Sequence, residues 1–168
     1  MQQVFQYPMT YPGWWLDYYY IFTWTLSMAF LAAGWGIFFR YGKFSYGIDL
    51  GCLWKSLVLL VMTTISLGAP NYYNTVFVAE HGQEGDRVVL TEDSMIYIYR
   101  TGDSKSFRAG DIDSVYQEAV TFNPPPKVFI VAERGGVRDS VFVTRNFPGF
   151  DDILNGVSAL SGVQVEGP

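Results

Sequence analysis

His81 is the only histidine and Cys52 the only cysteine in the 168 residues of this chain. A lone cysteine forms no internal disulfide, and with one histidine it falls short of the four ligands of a structural zinc site. A general base must be oriented by a partner. His81 has no Ser or Cys neighbour at a recognisable motif spacing, and G-x-S-x-G, P-loop, H-E-x-x-H and G-x-G-x-x-G motifs are all missing. It therefore reads as a solvated residue ahead of a turn. The acid pairs Glu92-Asp93 and Asp151-Asp152 would offer oxygens to calcium, but such a site needs six or more from a shaped loop. Turn and helix-start roles suit them better. The expectation is a non-enzyme with no catalytic residue, metal site or cofactor.

Four bases, Arg87, Arg100, Lys105 and Arg108, are the best candidates for recognition, although Glu92, Asp93 and Asp103 interrupt them and they lack the dense spacing of a phosphoinositide pocket. Ala32, Ala33, Gly34 and Gly36 offer a small-residue face for close helix approach, without a full G-x-x-x-G. Cys52, Ser56, Thr63, Thr64 and Ser66 read as packing groups, whose hydroxyls can hydrogen-bond across helices.

The elements that must position these residues sort by solvent. The chain is 49% hydrophobic, 18% aromatic and 16% charged, which excludes disorder, and its net charge of −5 opposes a non-specific nucleic-acid binder. Residues 1–79 carry +1 and residues 80–168 carry −6. From Tyr18 to Phe39 no charge occurs in 22 positions, enough to cross a hydrocarbon core of about 30 Å as a helix. Trp14, Trp15 and Tyr18 to Tyr20 at one end, and Phe38, Phe39, Tyr41, Phe44 and Tyr46 at the other, form aromatic belts. A second run from Ser56 to Ala69 lengthens to about 50–69 if Lys55 snorkels. No base precedes Arg40, so the first span is not a cleaved signal. Arg40, Lys43 and Lys55 place the 40–55 connection in the cytoplasm and the C-terminal domain outside it.

Beyond Pro70, expected to end the second helix, the period becomes strand-like in seven segments: 75–80, 87–91, 95–100, 105–108, 112–119, 127–133 and 137–144. Turn signals at Glu84-Gly85-Asp86, Thr101-Gly102-Asp103, Ala109-Gly110-Asp111 and Gly135-Gly136 separate them, with a stiff loop at Asn123 to Pro126. A final helix carries Pro148 in its first turn, Asp151 and Asp152 near its positive end, and Gly162 past its last turn. Phe150, Ile153, Leu154, Val157 and Leu160 form its apolar stripe.

The run Arg87 to Ala119 resembles the bacterial pleckstrin-homology-like (PH-like) domains of small membrane proteins. Leu90-Thr91, the apolar strand Ile96 to Arg100, Gly102, and Asp111-Ile112 occupy the characteristic places, over about residues 75–162. A two-helix hairpin ahead of the domain also looks like that group. The resemblance implies two transmembrane helices followed by a seven-stranded antiparallel PH-like barrel capped by a C-terminal helix. Its divisions are 1–17, an N-terminal segment; 18–70, the hairpin, with spans near 18–39 and 50–69; and 71–168, the PH-like domain. It further implies that Arg87, Arg100, Lys105 and Arg108 are worth testing as anionic headgroup ligands, and it favours a cytoplasmic domain, against the charge rule.

The functional expectation is a non-catalytic integral membrane accessory or assembly subunit of a larger complex in the bacterial inner membrane. Its partners are other membrane subunits and the bilayer, with the PH-like domain as a protein-interaction module. The alternative is a membrane-anchored sensor of anionic headgroups or a small ligand.

Overall fold

The computed structural model describes residues 2–41, 50–119 and 125–167. Residues 42–49 of the 40–55 connection, with Lys43, Phe44 and Tyr46, lie outside the described residues, as do Asn123, Pro124 and the side chains of Arg40, Tyr41 and Cys52. In chain order the elements are β1 (Gln3–Gln6), α1 (Gly13–Tyr41), α2 (Leu50–His81), β2 (Arg87–Leu90), β3 (Ser94–Ile98), β4 (Ser104–Arg108), β5 (Ile112–Gln117), β6 (Lys127–Arg134), β7 (Val137–Thr144), α3 (Phe150–Ser161) and β8 (Val165–Glu166). They divide into one compact unit of Met1–Gly13 with Val78–Pro168, and another of Trp14–Phe77.

In the helical unit α1 and α2 run antiparallel, with contacts at Tyr19–Phe77, Thr23–Asn74 and Trp35–Thr63. Pro70 does not end α2. A proline inside a helix deprives the carbonyl four residues earlier of its donor, and that carbonyl, of Ser66, accepts the Ser27 hydroxyl from α1 instead. The helix then propagates through Thr75 to Glu80, expected to be a strand, with Thr75 Oγ1 bonding back to the Asn71 carbonyl at 2.7 Å. Alternating Val and Phe fits either period; adding a turn to an existing helix gains one backbone bond per residue without needing a partner strand.

The two-span expectation is corrected. Among the described residues one helix, Leu53–His81, is long and apolar enough to cross a membrane. α1 has the length, 29 residues. Its charge-free core, however, is built from Tyr, Trp, Thr, Ser and Gly as much as from aliphatic residues, which makes it less apolar than its lack of charge suggested.

The seven-stranded barrel is corrected as well. Eight strands form two four-stranded sheets, ordered β1-β2-β3-β4 and β7-β6-β5-β8, and no closed barrel is present among the described residues. β1, which pairs antiparallel with β2 from Gln3↔Leu90 to Gln6↔Arg87, precedes both helices in sequence. β8 pairs parallel with β5 through Val115↔Val165 and Tyr116↔Glu166. The end strands β4 and β7 are linked by a side chain: Lys105 Nζ reaches Asp139 Oδ1 at 2.5 Å and the Ser140 carbonyl at 3.0 Å.

Alternation along the strands sends Val88, Met95, Tyr97 and Phe107 from one sheet and Val115, Ile130, Val141 and Val143 from the other into a shared core. α3 closes that core with Ile153 and Val157 fully buried and Phe150, Leu154 and Leu160 packed at the margin. Its first helical residue is Phe150, so Pro148 lies just outside, while Asp151 and Asp152 occupy the first turn. Gly162 ends it in the left-handed conformation, its N–H bonded to the Ser158 carbonyl. The result is a sheet-plus-helix domain.

Candidate functional site

The turn after α2 concentrates the domain's buried polar groups. Gln83, Glu84 and Asp86 are all buried there, although charged side chains are almost never buried without partners. Gly85, between the two carboxylates, has φ +87°, a left-handed conformation that favours glycine, and a Cβ there would press on Arg100 Cγ and Met9 Sδ at 3.1 Å.

Each buried group is matched. Gln83 Nε2 donates to Tyr97 Oη (2.9 Å) and to the Phe142 carbonyl (2.7 Å), while Oε1 accepts from Thr144 N (3.0 Å) and Oγ1 (2.8 Å). The side chain thereby uses all four of its hydrogen-bonding positions. Tyr97 Oη donates to Asp86 Oδ2 at 2.6 Å, and the Arg100 backbone N–H donates to Oδ1 at 2.8 Å. Burial raises the Asp86 carboxyl above its ordinary range, against the lowering effect of these bonds, and burial together with the Asp86 contact raises the Tyr97 phenol.

Glu84, 2% exposed, ties in the N-terminal segment. Oε2 accepts the backbone N–H groups of Thr10 (2.6 Å) and Tyr11 (3.3 Å), and Oε1 lies 2.7 Å from His81 Nδ1. Burial pushes this carboxyl up, but the bonds from His81, Thr10 and Tyr11 outweigh it and hold the group below the usual glutamate range. The Tyr11 ring meets the His81 ring edge-on at 5.1 Å, and the Arg100 guanidinium donates to the Glu84 carbonyl at 2.5 Å. His81, expected to be solvated, is thus an orienting partner of a buried acid. The i,i+3 spacing of His81 and Glu84 was visible in the sequence; the seventy-four-residue separation of Glu84 from Thr10 was not.

The four candidate bases do not converge. Arg87 and Arg108 are exposed on the outward side of the first sheet but at opposite ends, since Arg87 aligns with Ile98 and Ser104 whereas Arg108 aligns with Ser94. Four residues of strand separate these rows, about 13 Å. Lys105 aligns with Tyr97 and Val88, the inward row, and bridges to β7; Arg100 belongs to the turn network. Of the small residues on α1, Gly34 faces α2, where a Cβ would come within 2.7 Å of Met62 Cε, whereas Ala32, Ala33 and Gly36 are exposed.

On the outer face of the second sheet an aromatic row was missed in the sequence. Tyr116 stacks on Phe129 (5.5 Å), Phe129 meets Phe142 (5.6 Å), and Lys127 Nζ lies 5.2 Å from the Phe142 ring centre. The cross-strand register Tyr116↔Phe129↔Phe142 makes the row, and register is legible only once pairing is known.

No known protein family and no curated protein matches this chain. Among solved structures, a chain from "Structure of the Spt16D Pob3N heterodimer" shares 10% identity over 51% of this chain and 46% of its own length, with a TM-score of 0.37. The present chain therefore corresponds to under half the length of that one.

Proposed function

We propose that this chain is a non-catalytic integral membrane accessory or assembly subunit of a larger complex in the bacterial inner membrane, with the sheet-plus-helix domain as a PH-like protein-interaction module. The observation that carries this reading is the apolar surface of the helical unit. Leu53, Trp54, Leu60 and Ile65 on α2 and Leu26 and Phe30 on α1 are all more than half exposed, a surface suited to lipid and partner helices rather than to water. Leu53–His81 is the helix suited to anchor it. The exposed Ala32, Ala33 and Gly36 provide a place where a partner helix can approach closely. The aromatic row of Tyr116, Phe129 and Phe142 offers the domain anchors of the kind that dominate interfaces.

The headgroup-sensor alternative is disfavoured by the scattering of the bases. Purification in mild detergent with mass spectrometry of co-purifying chains separates the two. Arg87→Gln with Arg108→Gln removes the two exposed bases without touching the Lys105 bridge or the Arg100 network, and this variant should keep its partners. Ala33→Trp and Gly36→Trp should lose them. The opposite pattern would favour the sensor. The orientation drawn from the bases, with the domain outside the cytoplasm, predicts that Ser104→Cys in a Cys52→Ser background reacts with an impermeant maleimide in intact spheroplasts; labelling only after lysis would reverse it.

A further inference from the structure

Between α1 and α2, at the level of Pro70, lies a cleft of about 420 Å³, within the size range of small-molecule sites. Leu26, Phe30 and Ile65 supply apolar wall, and Ser66 and Pro70 also line it. Ser66 is 3% exposed, and its Oγ has no hydrogen-bond partner among the described residues. Buried hydroxyls are nearly always paired, and this one has been bypassed by an unusual local arrangement. The proline removes the donor to the Ser66 carbonyl, Ser27 Oγ fills that place, and the Ser66 hydroxyl is left over beside the cleft. Further along the same α1-facing side of α2, Asn74 Oδ1 accepts from Thr23 Oγ1 at 2.8 Å while its Nδ2 likewise has no partner among the described residues. Both unmet groups have hydrogens to donate.

We infer that this cleft binds an amphiphile with a long apolar chain and a carbonyl oxygen, the chain lying along Leu26, Phe30 and Ile65 and the carbonyl accepting the Ser66 hydroxyl. An acceptor is what the site lacks, and a single carbonyl on an apolar body matches one unmet donor in a wall that is mostly apolar but also carries Thr23 and Ser27. Proline suits the site because its ring presents no N–H to the cleft. A glycerolipid ester and a free fatty acid share this chemistry. The inference does not depend on the accessory role proposed above, since it concerns the helical unit alone.

The test uses the full chain in maltoside micelles and two probes, a phosphatidylcholine with a diazirine in its acyl chain and a diazirine palmitic acid, each photolysed and mapped by mass spectrometry. The site predicts saturable labelling concentrated at Leu26, Phe30 and Ile65 for at least one probe, and the probe that saturates at the lower concentration identifies the source. Ala69→Trp, which fills the cleft, should reduce that labelling at least about tenfold. Ser66→Ala, which keeps the shape and removes only the hydroxyl, should weaken apparent affinity about fivefold, the worth of one ordinary hydrogen bond, while leaving helical content unchanged. Labelling that tracks exposure evenly along Leu53, Leu60 and Val78, does not saturate and ignores both substitutions would mean solvating lipid only and would overturn the inference.

Discussion

The backbone N–H of Thr10 donates to Glu84 Oε2 at 2.6 Å across a sequence separation of 74 residues, and this bond fastens the segment after β1 to the turn that follows α2. The chain leaves the sheet domain after β1 and re-enters it before β2, so the domain's first two paired strands are separated in sequence by the whole helical unit. Around this bond the Tyr7 N–H donates to the Asp86 carbonyl at 2.9 Å and the Gly85 N–H to the Tyr7 carbonyl at 3.1 Å. The two ends of the inserted segment are thereby held by three short bonds and one buried carboxylate.

Removing that carboxylate should release the N-terminal segment. Glu84→Ala removes the acceptor that the Thr10 and Tyr11 N–H groups and His81 share, and a hydrogen bond to a charged group is worth about 1.5–3 kcal/mol. Hydrogen exchange should show lost protection at residues 7–11 ahead of the rest of the domain. Uniform loss across all strands would mean that Glu84 supports the core rather than the latch.

The same carboxylate sets an acid limit on stability. Its folded value lies below the ordinary 4.5, so between those values the unfolded chain holds more protons, and stability present above about 4.5 is lost as the pH falls toward the folded value. Asp86, held above its ordinary 3.8 chiefly by burial, acts in the opposite sense and gains stability as acid neutralises it. Melting temperature measured from about pH 6 to about pH 3 should therefore fall more steeply for the native chain than for Glu84→Gln. Parallel curves would remove Glu84 from the account.

Six of the expected strands were legible because their period of two and their glycine turns are local properties. The segments that matched, 87–90, 94–98, 104–108, 112–117, 127–134 and 137–144, are bounded by Gly85, Gly102, Gly110 and Gly135-Gly136. β1 and β8 were invisible for the converse reason: Gln3–Gln6 has four residues and Val165–Glu166 two, and both exist through pairing with distant strands. Thr75 to Glu80 misled because its alternation is real, yet an unbroken helix precedes it. The Glu84 network was half legible, with His81 at the right spacing but Thr10, Tyr11, Tyr97 and Arg100 assembled by the fold.

α3 should contribute unevenly along its stripe. Ile153→Ala removes a side chain with no exposure and should cost about 2–5 kcal/mol in urea unfolding. Leu154, packed at the margin, should cost clearly less on the same change. Equal costs would mean that α3 packs in another rotation.

The pairing of Ser27 with the Ser66 carbonyl makes a prediction about coupling rather than about either residue alone. In the native chain the Ser27 hydroxyl is the donor that replaces the missing N–H at Pro70. Ser27→Ala should therefore loosen the helix pair by about 0.5–1.5 kcal/mol, the net worth of one ordinary hydrogen bond. Pro70→Ala restores an N–H four residues beyond the Ser66 carbonyl and gives that carbonyl an intrahelical donor. In a Pro70→Ala background Ser27→Ala should then cost much less, because the carbonyl it served no longer needs it. A double-mutant cycle read by denaturation in mixed micelles measures the difference. Additive costs would show that Ser27 and Pro70 act independently and that the helix tolerates its proline by some other means.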